Sequence, residues 1–85
     1  MSAKVLIVDD DDLNREVMEA FLSLVGYDVL IAGNGTKALE IAELKLPDLM
    51  ILDVRLPDID GFEVCRTLRA NPRIQHIPIM MITGL

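Results

Sequence analysis

Val5-Leu6-Ile7-Val8-Asp9-Asp10-Asp11-Asp12 is the stretch that decides the fold. Four apolar residues in a row have no polar face, which suits a strand covered on both sides. Four carboxylates then follow at once. Asp11 or Asp12 is placed to cap a helix, because Leu13, Val17, Ala20, Phe21 and Leu24 recur at spacings of three and four and give the next segment one apolar face. Gly26 supplies its stop.

The same grammar repeats downstream. Tyr27 to Ala32 reads as a second strand and Gly33-Asn34-Gly35 as a turn. Thr36 is taken as the cap of a helix carrying Ala38, Leu39, Ala42 and Leu46, which Pro47 ends. Leu49-Met50-Ile51-Leu52 is a further strand with two apolar faces, and it runs into Asp53. Residues 54–60 form a loop, Gly61 to Ala70 a third helix broken by Asn71-Pro72, and Ile77 to Thr83 a fourth strand with Pro78 near its start. The order βαβαβαβ implies an α/β fold: a doubly wound parallel sheet with right-handed crossovers and helices on both faces.

Composition bounds the function. The 85 residues are 52% hydrophobic and 26% charged, so the chain is globular and holds one domain at most. A net charge of -6 argues against direct binding of nucleic acid through its phosphates. The single cysteine, Cys65, cannot form an internal disulfide, and no apolar run is long enough for a signal peptide or a membrane span. These features lead us to expect a cytoplasmic protein that does not engage a membrane.

The carboxylates carry the chemistry. In a parallel sheet Asp9, Asp10 and Asp53 all lie on the carboxyl-terminal edge. If the first and third strands are neighbours, that edge is a topological switch point where open α/β sheets bind ligands. An oxygen-only donor set suits Mg²⁺, and a carboxylate can itself accept a phosphoryl group. Asp11 and Asp12 read as helix caps; Asp9 and Asp10 read equally well as caps or as ligands. Asp53 reads as functional, because a carboxylate ending a buried apolar strand is costly unless it is paired or metal-bound. Thr83 ends the fourth strand on the same edge, and on spacing alone it is an ordinary strand-end threonine. Pro57 to Gly61 reads as a turn and helix cap with Asp58 and Asp60 solvated, His76 as a surface residue, and Cys65, Met80 and Met81 as core.

Four motifs together resemble bacterial two-component response-regulator receivers: Lys4 to Asp10, Pro47 to Asp53, Leu56-Pro57-Asp58-Ile59-Asp60-Gly61, and Ile77 to Thr83. The resemblance covers the whole chain. It implies a flavodoxin-like fold with strand order 2-1-3-4-5, here without the last helix, strand and helix and the lysine that strand carries. It implies that Asp53 accepts phosphoryl from a histidine kinase or phosphotransfer protein. Asp10 then binds Mg²⁺ (or Mn²⁺) directly and Asp9 supports it, with Asp53 and the backbone carbonyl of Arg55 completing the protein ligands. Thr83 becomes the switch hydroxyl. On this basis we expect residues 1–85 to be a partial receiver domain without an output domain, and a signalling module rather than an enzyme. A metal-dependent phosphatase with an aspartyl nucleophile usually has a second aspartate two residues on, where Arg55 stands. The competing class is a structural fragment that does not switch. A fourth strand left at the sheet edge, strongly apolar, further suggests a homo-oligomer or part of a longer chain.

Overall fold

A computed structural model of the chain describes residues 2–82. Four strands, β1 (Lys4–Val8), β2 (Asp28–Ala32), β3 (Leu49–Asp53) and β4 (Ile79–Ile82), alternate with three helices, α1 (Asp12–Leu24), α2 (Gly35–Lys45) and α3 (Gly61–Arg69). All strand pairs are parallel, in the order β2-β1-β3-β4. The expected doubly wound α/β fold is therefore present, with the expected reversal between β1 and β3.

Strands β1 and β3 are buried along nearly their whole length, as their unbroken apolar runs require. Leu6, Val8, Met50 and Leu52 point to the face where α2 and α3 pack, and join Ala38, Ala42, Val64, Leu68, Ile74 and Ile77 in the main core. The alternate residues Val5, Ile7 and Ile51 are buried too, on the other face. Among the described elements, that face carries α1.

Local signals explain the helix ends. Asp11 caps α1, its side chain accepting from the Asn14 N–H. At the other end Gly26 has φ 102°. The Gly26 N–H donates to the Ser23 carbonyl at 3.1 Å and the Tyr27 N–H to the Leu22 carbonyl at 3.0 Å, which is the double bond of a Schellman stop.

Several expectations need correction. Helix α2 is capped by Asn34, not Thr36: the Asn34 side chain accepts from the Lys37 N–H at 2.8 Å. Both are capping residue types, and the extended backbone of Asn34 (φ -157°, ψ 173°) meets the requirement of the position. The second strand starts at Asp28, because Tyr27 is used in closing α1. The described part of the fourth strand starts at Ile79, since Ile77 belongs to a turn closed by its N–H on the Ile74 carbonyl.

The apolar face of α1 is not core. Leu13, Val17, Phe21 and Leu24 are all more than half exposed, and α1 buries none of its residues. Met18 and Leu22 are its partly covered apolar side chains. The helix lies over β1 and β2, so a stripe this wide overhangs the sheet area beneath it. Met80, on edge strand β4, is 54% exposed for a related reason: no described helix covers β4 on the α1 side.

Candidate functional site: a carboxylate cluster at the switch point

Val8 of β1 and Leu52 of β3 are register partners. The residue after each is an aspartate, so Asp9, just past β1, and Asp53, the last residue of β3, stand at the same edge of the sheet. Both are buried, at 2% and 5% exposure. Asp10 follows Asp9 and is exposed. One carboxylate oxygen from each of Asp9, Asp10 and Asp53 lies within 4.8 Å of the other two.

Each buried carboxylate is held by its own backbone. Asp9 Oδ1 accepts from the Asp11 N–H at 2.9 Å and Asp53 Oδ1 from the Arg55 N–H at 3.0 Å. These short-range bonds orient the side chains without a charged partner. Asp11 takes the capping role expected of it, accepting from the Asn14 N–H at 3.0 Å, whereas Asp12 is the first residue of α1 and pairs with Arg15 instead of capping.

A cleft of about 350 Å³ opens over the cluster, lined by Asp9, Asp10, Asp53 and Arg55 together with Asp11, Asn14, Leu56 and Pro57. A larger groove of about 720 Å³ lies away from it between α2 and α3, lined by Leu39, Thr67 and Ile74 among others. The larger groove holds no such cluster, and the chemistry belongs with the carboxylates. Three carboxylates converging with only oxygen donors fit a hard divalent cation of the Mg²⁺ type.

Sequence reading brought Asp9, Asp10, Asp53 and Arg55 to this edge, and the structure puts all four on one cleft. Thr83 lies outside the described residues. Two residues were missed. Arg15 Nη1 donates to the Asp9 carbonyl at 2.7 Å, bracing the end of β1 from inside α1. Asp58 is exposed as expected, yet it accepts the Gly35 N–H at 2.8 Å, the Thr36 N–H at 2.9 Å and the Thr36 hydroxyl at 2.5 Å. Asp60 caps α3 by accepting the Glu63 N–H at 2.8 Å, as the turn-and-cap reading of this segment expects. An aspartate followed by glycine three residues on was the sequence signal for a loop tied down at this point, but nothing in it named Thr36 as the partner.

The fold and the cluster define a class: an open, doubly wound α/β domain with a carboxylate cluster at its switch point. The family profile described as "Response regulator receiver domain" matches residues 5–85, and the chain belongs to that family. Receivers are signalling modules. The chain is 46% identical over 85 residues to the response regulator PleD of Caulobacter vibrioides, covering all of this chain and 19% of that protein. The chain thus spans about a fifth of that relative. Among solved structures, a putative response regulator from Chloroflexus aurantiacus superposes with a TM-score of 0.91 at 42% identity, over 95% of this chain and 66% of that one. The receiver domain of a sensor histidine kinase from Pseudomonas aeruginosa superposes with a TM-score of 0.90 at 33% identity, over the same shares, 95% and 66%. That structure has a magnesium ion coordinated in its active-site cleft. Among the described residues, no helix is long and apolar enough to cross a membrane.

Proposed function

We propose that this chain accepts a phosphoryl group on Asp53 in two-component signalling, from a histidine kinase or a phosphotransfer protein. The observation that carries the reading is the convergence of the Asp9, Asp10 and Asp53 oxygens within 4.8 Å at the carboxyl ends of β1 and β3. Asp10 and Asp53, supported by Asp9 and the backbone carbonyl of Arg55, would hold Mg²⁺. Such an ion supplies neutralisation of the charge gathered on the phosphoryl oxygens and the acceptor.

Asp53 acts as nucleophile. A carboxylate oxygen attacks phosphorus, the new P–O bond forms as the donor's P–N bond breaks, and the imidazole nitrogen leaves with the bonding pair. The Arg55 N–H donates to Asp53 Oδ1, restraining the carboxylate that lines the cleft. Thr83 is the hydroxyl assigned to the phosphoryl group once it is in place. The product is an acyl phosphate, a switch state rather than a turnover intermediate. The absence of a carboxylate at Arg55, where a phosphatase of this chemistry keeps its acid–base residue, supports acceptance over turnover.

Incubation with Mg²⁺ and acetyl phosphate tests the reading. A protein adduct of one phosphoryl group, on Asp53, is the expected outcome; no adduct would favour a fragment that does not switch. Continued release of phosphate over many equivalents would make the chain a phosphatase instead.

A further inference from the structure

The wall of the acidic cleft opposite β1 is the loop of residues 54–60, which contributes Arg55, Leu56 and Pro57. A seven-residue loop without regular structure needs an anchor if it is to present a backbone group in one place. Its two ends are closed by the Gly61 N–H on the Val54 carbonyl at 2.8 Å. Leu56 and Ile59 pack against the core, and the side-chain hydrogen bonds that hold its middle are those of Asp58, whose partner is not the loop but the start of α2.

That partner is well chosen. The first turn of a helix leaves N–H groups without intrahelical acceptors, and it carries positive partial charge. In α2, Asn34 satisfies the Lys37 N–H. Asp58 satisfies those of Gly35 and Thr36, and takes the Thr36 hydroxyl as well. Ile59 packs against Gly35 so closely that a Cβ there would collide with it and with Val64. Helix α2 is in turn fixed to the sheet by the fully buried Ala38 and Ala42. The loop is therefore clasped to a rigid body, 22 and 23 residues away in sequence.

We propose that Asp58 is a positioning residue of the acidic site: its clasp on Gly35 and Thr36 sets where the Arg55 side of the cleft stands relative to Asp53. The inference rests on the cation-site reading above and adds a residue that touches neither cation nor phosphoryl group. The depressed carboxylate pKa of Asp58, caused first by the Thr36 hydroxyl, agrees with a bond made to the charged form.

Three variants test it: Asp58→Ala, Asp58→Asn and Thr36→Val, each followed by amide hydrogen exchange and by Mg²⁺ titration observed in backbone NMR shifts. In Asp58→Ala the Arg55 and Gly61 amides should exchange roughly tenfold faster or more, the scale of a lost charge-assisted hydrogen bond. Amides of β1 and β3 should be unchanged, and the Mg²⁺ dissociation constant should rise several-fold. Asp58→Asn keeps one acceptor and should recover part of both effects; Thr36→Val should show a smaller effect in the same direction. A loop that exchanges as in the unaltered chain overturns the proposal. So does a loosened loop with unaltered Mg²⁺ affinity, because loss of a merely structural bond would produce that pattern. An unaltered chain with no Mg²⁺ response would contradict the cation-site reading, and the exchange rates would still decide whether Asp58 holds the loop.

Discussion

Asp9 and Asp53 reach the same cleft because Val8 and Leu52, their immediate predecessors, are register partners in adjacent parallel strands. Asp53 lies 44 positions after Asp9, and the pairing brings the two carboxylates together at the point where the chain reverses its direction of travel across the sheet. Like charges buried side by side are unfavourable on their own account. Two carboxylates about 4 Å apart repel by ~4 kcal/mol at an effective dielectric of about 20, before solvent screening.

Asp53→Asn keeps the acceptor for the Arg55 N–H and removes one charge. The metal-free chain should gain about 1 kcal/mol or more in denaturant unfolding by relief of that repulsion. The same variant should lose the stabilisation that Mg²⁺ gives the unaltered chain by mass action. A destabilised variant that still responds to Mg²⁺ would place the cation elsewhere.

Gly61 stands against the end of β3. A Cβ added there meets the Asp53 carbonyl oxygen at 2.6 Å and the Val54 Cα at 2.9 Å, and backbone cannot step aside as a side chain can. Gly61→Ala should cost about 1–3 kcal/mol as an overpacking change and weaken Mg²⁺ binding by shifting Asp53. Gly26→Ala is the contrast: nothing lies within 4 Å, so only the strain of φ 102° is felt, about 1 kcal/mol, with Mg²⁺ binding intact. Chemical unfolding of both variants, paired with Mg²⁺ titrations, separates crowding from strain.

The apolar stripe of α1 and the core of α3 should respond differently to truncation. Leu68→Ala empties a fully buried position and should cost about 2–5 kcal/mol. Phe21, at 63% exposure, should cost no more than about 0.5 kcal/mol when cut to alanine. Equal costs, measured as denaturation midpoints, would mean that α1 packs on something in solution that the described residues do not provide.

Asp58 gives a pH dependence with a definite sign. The Thr36 hydroxyl, helped by the Thr36 and Gly35 N–H groups and opposed by partial desolvation, holds its carboxyl well below the usual carboxylate range. A depressed folded-state pKa means a contribution present above the unfolded value, near ~3.9, and lost as pH falls below it toward the folded pKa. Below about pH 4 the unaltered chain should therefore lose stability more steeply than Asp58→Asn. Parallel curves in acid unfolding would remove Asp58 from the account.

Much of this was legible in the sequence, for particular reasons. Buried parallel strands announce themselves as unbroken apolar runs, which is why Val5 to Val8 and Leu49 to Leu52 were found, and a carboxylate ending such a run stands out. Asp58 did not, because its partner Thr36 is 22 residues away and a lone aspartate before Ile59-Asp60-Gly61 looks like any turn. The cap of α2 was misplaced by two residues because Asn34 and Thr36 are both capping types and only the backbone angles distinguish them. Helical periodicity shows that α1 has an apolar stripe but not how much sheet lies under it, so the exposure of Leu13, Val17 and Phe21 was not legible in the sequence.

The central claim is that Asp53 accepts phosphoryl with the help of a cation held by its neighbours, and one measurement reaches it directly. The chain is incubated with acetyl phosphate in Mg²⁺ or in EDTA, and the phosphoryl group is located by peptide mass spectrometry. The account predicts a single modified residue, Asp53, labelled in Mg²⁺, with the label lost in EDTA, in Asp53→Asn and largely in Asp10→Ala. Label on another residue, or label on Asp53 that forms equally well without a divalent cation, would contradict it.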